Sequence, residues 1–251
     1  RGDVLVDHLL AIAANEIKTP IDGIDTIEPA FGLSAKWIQE KNRIKAELAG
    51  YTLIDPTSVI VTHLSEMIKK HVDELLTRQE LHHILDNLKK TNEPLVNELI
   101  PNIVSIQTLQ KVLCNLLKEQ VSIRDLETIL ETLGDYAPSI RDLDVLTEYV
   151  RQSLKRSITS KYIENKQLKV VTLDARIENM IMESVKKVDN GSYLALDPNS
   201  IQQIIQSTSQ EIDRIKDLVP YSIVLTSPIV RVYYKKLMDQ FIPNIVVLSF
   251  N

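Results

Sequence analysis

Apolar positions along this chain recur with two different periods, and the most informative switch between them falls at residues 50–80, GYTLIDPTSVIVTHLSEMIKKHVDELLTRQE. Tyr51, Thr52, Leu53 and Ile54 follow Gly50 and form a β-rich run. Asp55-Pro56 then supplies a carboxylate able to cap a helix and a proline whose missing N–H costs nothing at the first helical position. Beyond it Ile60, Leu64, Ile68, Val72 and Leu75, flanked by Val61, Met67 and Leu76, recur at spacings of three and four. That pattern predicts one helix with an apolar stripe about five turns long. Thr77 and Glu80 make a T-x-x-E capping pattern, so a second helix is expected almost at once.

Upstream, residues 4–14 are too uniformly apolar for periodicity to choose between strand and helix. Residues 15–25 carry Pro20, Gly23 and three acidic residues and read as an exposed loop. Residues 27–38 gather Ile27, Phe31, Leu33, Trp37 and Ile38 around Pro29 and Gly32, so no regular element runs cleanly through all of them. Residues 34–49 continue as a strand and then a helix with Ile44 and Leu48 inward, and a small α/β subdomain over 6–55 fits. From 78 to 157 the pattern is helical throughout. Ser105-Ile106 with Leu109, Val112, Leu113 and Leu116 is echoed seventeen residues later by Ser122-Ile123 with Leu126, Ile129, Leu130 and Leu133, two serine-capped amphipathic helices. Asp125 adds to the second cap, and Gly134 and Pro138 are expected to end that helix. After residue 155, strands at 168–173, 192–196, 223–225 and 245–250 alternate with helices at 175–188, 199–218 and 228–241, a separate α/β layer. The fold class is thus mixed α/β in several subdomains: a small α/β unit, an all-helical middle and a C-terminal α/β unit.

Composition changes this picture little. A chain of 251 residues, 44% hydrophobic, can bury one large core or several small ones. A formal charge of -5 with both signs interspersed argues against a nucleic-acid partner, and a helix-turn-helix at 105–133 is disfavoured by Asp125, Glu127 and Glu131 on the face that would meet phosphates. The single Cys114 excludes an intrachain disulfide, points to a reducing compartment and reads as a small buried hydrophobe. There is no run of about 18 apolar residues and no signal-peptide pattern, so no membrane span is expected here.

Catalytic patterns are equally sparse. The six glycines are isolated from one another, so no loop can converge backbone N–H groups on a phosphate. His8, His63, His71, His82 and His83 include no H-E-x-x-H, and Ser58 lacks the glycines of a nucleophile elbow. No enzyme activity, cofactor or metal is expected. Binding surface remains, with Phe31 either an exposed aromatic anchor or an ordinary core residue.

The run D-P-x-S-V-x-x-T-H-L from Asp55, with His71, Glu74, Leu75, Arg78 and Gln79 after it, closely resembles the cytoplasmic domain of the FlhA-type (FHIPEP) export-gate family of flagellar and type III secretion. The resemblance continues through residues 27–33 with Trp37-Ile38, residues 111–113, 121–124 and 246–249, and covers essentially the whole chain. It implies four subdomains: a remnant of a first α/β subdomain (1–5 and 56–75), an insertion (6–55), a helical subdomain (76–155) and a C-terminal α/β subdomain (156–251). It further implies a membrane-embedded N-terminal half and linker upstream, a short tail downstream, and a place at the cytoplasmic face of the bacterial inner membrane. A nine-membered ring of the full-length protein, export chaperones loaded with substrate and other export-apparatus components are the implied partners. In the family a hydrophobic dimple receives the chaperones, and its motif positions fall here on Glu28, Pro29, Phe31, Ile54 and Thr62. Glu28 stands where aspartate is commoner in flagellar members, and as a rim charge would chiefly steer encounter.

Two other readings stand beside this one, an injectisome homologue with the same role and, from another class, a hydrolase with an unusual cleft site. The borders near Leu75 and Arg156 fall at helix ends, and open and closed arrangements are expected there. Without the implied membrane half, this chain should be mainly monomeric at micromolar concentration, and a stable nonamer in analytical ultracentrifugation would contradict that.

Overall fold

The computed structural model describes residues 4–13, 20–189, 191–216, 218–242 and 245–250. The chain divides into two compact units, Arg1–Leu75 and Leu76–Asn251. Part of the expected 15–25 loop, residues 15–19, and residues 1–3 of the expected remnant lie outside the described residues.

The first unit is built on four strands, β1 (His8–Ala13), β2 (Ile24–Ile27), β3 (Ser34–Gln39) and β4 (Tyr51–Ile54), in an antiparallel sheet of order β2-β3-β1-β4. Pairing of Leu9 with Ile38 and of Leu10 with Trp37 fixes the register, and the two-residue period then sorts the core onto two faces. On one face Leu9, Ala11 and Ile38 meet Ala46 of helix α1 (Arg43–Leu48). Here the expectation for α1 is corrected: Ile44 and Leu48 are exposed and the fully buried residue is Ala46, whose small side chain lets so short a helix lie close on the sheet.

On the other face Leu10, Ala35 and Trp37 pack with Val59 of helix α2 (Pro56–Lys70). The start of α2 follows the sequence reading, with the Asp55 carboxylate accepting from the Ser58 N–H at 2.9 Å and Pro56 in the first turn. Its predicted stripe does not. Val59 is buried, Thr62, His63 and Glu66 on the same line are half-buried, and Ile60, Val61, Leu64, Met67 and Ile68 are all exposed. The helix meets the sheet along its less apolar side, and the stripe faces away. It is also shorter than predicted, because His71 leaves helical geometry (φ -118, ψ 21) before the one-turn helix α3 (Val72–Leu75).

The second unit begins with helices α4 (Arg78–Leu99), α5 (Ile106–Lys118), α6 (Leu126–Tyr136), α7 (Leu143–Ser153) and α8 (Lys155–Ser160). The repeated apolar set is its core: Leu109, Val112, Leu113, Leu116, Ile129, Leu130 and Leu133 are all fully buried. Ser105 caps α5 through the Thr108 N–H at 3.0 Å. In the second copy the cap is Asp125, which accepts from Thr128, while Ser122 only bonds Arg124 in the preceding loop. The carboxylate three residues later captures a free N–H of the first turn.

There follow β5 (Val171–Thr172), α9 (Ala175–Ser184), β6 (Val185–Val188), β7 (Gly191–Leu194), α10 (Pro198–Ile215), β8 (Ile223–Thr226), α11 (Pro228–Asp239) and β9 (Val246–Ser249). Strands β5, β8 and β9 form a parallel sheet in that order, and Ile181, Ile204, Val224, Tyr234 and Val247 lie in its core. The strand expected over 168–173 shortens to two residues. The helix expected over 175–188 stops at Ser184, and Val185 to Val188 pairs with β7 as a hairpin, Val188 opposite Gly191. β-branched Val185 and Val188 favour that extended pairing.

Gly134 does not end α6, which runs on to Tyr136. A Cβ there would sit 2.7 Å from Cδ2 and 3.3 Å from Cδ1 of Leu99, so the glycine marks a close approach of α6 to α4. Gly134→Ala should lose about 1 kcal/mol net, overpacking of roughly 1–3 kcal/mol outweighing a helix-propensity gain of about 1. Chemical denaturation of Gly134→Ala alone and with Leu99→Ala checks this, the loss being smaller once the leucine is gone.

Candidate docking site on the first unit

The turn between β2 and β3 is held by one carboxylate. Glu28 accepts from the backbone N–H groups of Ala30 at 2.9 Å and Phe31 at 2.6 Å. Its own N–H donates to Leu33 O at 2.8 Å, and the Gly32 N–H donates to Glu28 O at 2.9 Å. Gly32 adopts φ +71, the left-handed conformation that only a residue without Cβ takes at little cost. Five residues are thereby fixed in a compact knuckle with Pro29 exposed at its surface.

Phe31 is 62% exposed, so the core reading of this residue does not hold. Ile24, Ile27 and Leu33 are exposed beside it on the edge strand β2 and the start of the turn's return. Glu28, by contrast, is 3% exposed. It is a turn-forming group under the knuckle, and the expectation of a rim charge is corrected: the arm that keeps the charge is folded inward onto two N–H donors.

Ile54, the last residue of β4, pairs with Leu10, which pairs with Trp37, which pairs with Ile24, so one row crosses the whole sheet. Ile54 lies half-buried against the Leu10–Trp37–Val59 cluster. Thr62, one turn beyond Val59 on α2, is half-buried on the same side. Ile54 and Thr62 therefore belong to the α2 face, while Phe31 stands outside that cluster at the turn. Next to Thr62, the Nδ1 of His63 is sealed from solvent with no hydrogen-bond partner. No sequence signal marks the buried state of Glu28, which the fold reveals. At the start of α2, the Ser58 hydroxyl and N–H hold the Asp55 carboxyl below the usual carboxylate range. Among the described residues no group of three or more His, Cys, Asp and Glu side chains could hold a metal ion.

The whole of this chain, residues 1–251, matches the FHIPEP family model, and the chain belongs to that family. The flagellar biosynthesis protein FlhA of Bacillus subtilis is 44% identical to it over 252 residues, an alignment that takes in all of this chain and 37% of that protein. Among solved structures, the CdsV protein of Chlamydia pneumoniae superposes with a TM-score of 0.79 at 32% identity, covering 99% of this chain and 71% of that one. Nonameric SctV-C from EPEC superposes with a TM-score of 0.75 at 28% identity, covering 99% and 75%. The chain thus spans little more than a third of the length of the curated relative it matches.

Two substitutions separate scaffold from surface in this site. Phe31→Ala should leave the thermal midpoint nearly unchanged, where a buried phenylalanine would cost about 3–5 kcal/mol. Glu28→Ala should cost about 1–3 kcal/mol, because two N–H groups of the turn lose their acceptor and the space of a buried side chain is emptied. Parallel thermal melts of the two variants give the comparison, and the reverse order would remove the knuckle as described.

Proposed function

We propose that this chain is a cytoplasmic docking platform of a bacterial flagellar export apparatus, receiving export chaperones loaded with substrate and passing the substrate to a membrane export gate. The observation that carries the reading is Phe31, a 62% exposed aromatic on a knuckle made rigid by a buried carboxylate. A rigid aromatic offers a partner a large contact area with little ordering entropy to lose. Glu28 and Pro29 shape that knuckle, and Ile54 and Thr62, half-buried on the α2 face of the same unit, are the remaining residues assigned to the proposed dimple.

Family membership and the nonameric relative support a ring of nine copies in the full-length protein, held at the cytoplasmic face of the inner membrane by a part outside this chain. The flagellar rather than the injectisome reading is favoured by 44% identity to a flagellar protein against 32% and 28% to the CdsV and SctV-C structures. We further infer that residues 1–5 and 56–75 belong to a first α/β subdomain whose core would use the outward stripe of α2. The exposed Ile60, Leu64, Met67 and Ile68 support that assignment.

Phe31→Ala should weaken binding of a substrate-loaded flagellar chaperone by about 2 kcal/mol or more, roughly thirtyfold. Calorimetric titration of the folded variant measures it, and unchanged affinity would remove Phe31 from the site.

A further inference from the structure

The second unit holds two apolar clusters that share no residue among those described, one in the α4–α8 bundle and one in the α/β layer. Charged side chains link the elements that carry these clusters. Arg231 of α11 is 1% exposed, and its guanidinium meets Glu119 at the end of α5 and Glu148 of α7. Nε donates to Glu148 Oε2 at 2.5 Å and Nη2 to Glu148 Oε1. Nη1 and Nη2 donate to Glu119 at 2.8 and 2.9 Å, and Nη1 also donates to Val247 O on β9 at 3.3 Å. All five N–H donors of one side chain are used. Arg151 of α7, also buried, completes the group with Nη1 3.1 Å from Glu119 Oε2, outside hydrogen-bonding geometry.

The flanks of this joint are polar too. Ser192 Oγ bonds Asp142 Oδ2 at 2.9 Å and Tyr233 Oη at 2.7 Å, and Lys236 pairs with Asp144. Apolar contact is non-directional and would hold the layer on the bundle in many orientations. A planar fork satisfied by carboxylates from two helices and a carbonyl from a strand is met in one. Burial of such a network adds little net stability over apolar residues of equal volume, and its best-attested use is to fix register. Burial alone works against the charge of Arg231, yet Glu119 and Glu148 outweigh it and hold the guanidinium above its usual value. Arg151 goes the other way: burial lowers it, Glu119 only partly offsets this, and Arg231 repels it.

We propose that Glu119, Glu148, Arg151 and Arg231 form a docking key that fixes the single orientation of the α/β layer on the helical bundle, and that releasing the key frees the layer without unfolding either part. The border near Arg156, where helix ends suggest a hinge, is then closed by these four side chains rather than by a shared core.

Spin-label distances across the joint test this, measured on the 251-residue chain with Gln107→Cys on α5 and Gln203→Cys on α10, both exposed, and Cys114→Ser. With the key intact the distance should be single and narrow, and Arg231→Met should broaden its distribution about twofold or more. Hydrogen exchange of the same variant should show α5, α6 and β9 all keeping their protection, because the bonds of β9 to β8 lie inside the layer. An unchanged distance distribution, or loss of protection in α5, α6 and β9 together, would overturn the proposal. Because Arg231→Met strands two buried carboxylates, a second variant removes all four charges: Glu119→Gln, Glu148→Gln, Arg151→Met and Arg231→Met. It should stay folded by circular dichroism and show the same broadening. A narrow distribution there would mean that apolar packing sets the orientation, and an unfolded chain would mean that the core itself needs the charges; either result sinks the idea.

Discussion

The interaction that most constrains how the parts of the second unit are set against each other is the burial of Arg231 among two carboxylates and a strand carbonyl. A lone guanidinium in that position would be prohibitively costly, since removal of an ion from water costs several kcal/mol even after relaxation. Its cost is met only by partners drawn from separate elements, so α5, α7, α11 and β9 must all be in place before any one of them is satisfied. Arg231 and its neighbour on α11, Lys235, also cover a sheet edge. The outward carbonyl of Val247 accepts from Arg231 and that of Ile245 accepts from Lys235 at 3.0 Å, so β9 offers fewer free acceptors to a foreign strand.

A second device recurs at the junctions of strand and helix. Asp55-Pro56 after β4 and Asp197-Pro198 after β7 each combine a capping carboxylate with a proline in the first turn, and Asp197 accepts from both Asn199 and Ser200 at 3.0 Å. The serine hydroxyl three residues on reinforces each carboxylate, and the hydroxyl and N–H together hold both carboxyls below the usual range. At Ser227-Pro228 the arrangement differs. The Ser227 side chain makes no cap, and its N–H donates instead to Glu178 of α9 at 2.6 Å. A local signal starts the first two helices, whereas the third is tied to a distant one, which fixes α11 relative to α9.

These junctions were the most legible part of the sequence because everything they need lies within four residues. The repeated core of α5 and α6 was legible for the same reason, its 3.6-residue period being set by one helix face against one core. What failed was the choice of face where an element has more than one neighbour to meet. Periodicity identifies an apolar stripe on α2 but not that the sheet packs on Val59 on the other side, where Thr62 and His63 are half-buried. Ala46 beat Ile44 and Leu48 because closeness of approach, not hydrophobicity, decides how a six-residue helix sits. Gly134 read as a stop because its close contact with Leu99 spans thirty-five positions of sequence and leaves no local trace.

The candidate site divides along the same line. The proposal that Phe31 meets a partner came only through resemblance to a family, since composition alone leans towards a core phenylalanine. The structure adds why it can stand outside the core without being loose: the Glu28 carboxylate saturates the N–H groups of Ala30 and Phe31, and Gly32 turns the chain back into β3. Carbon chain length bears on this. A carboxylate that reaches back over its own turn must span from Cα to two successive N–H groups, and the extra methylene of glutamate over aspartate changes the reach of that arm. Glutamate at this position therefore builds the knuckle beneath Phe31, and its bearing on the proposed docking would act through the pose of the aromatic ring rather than through a charge displayed to solvent.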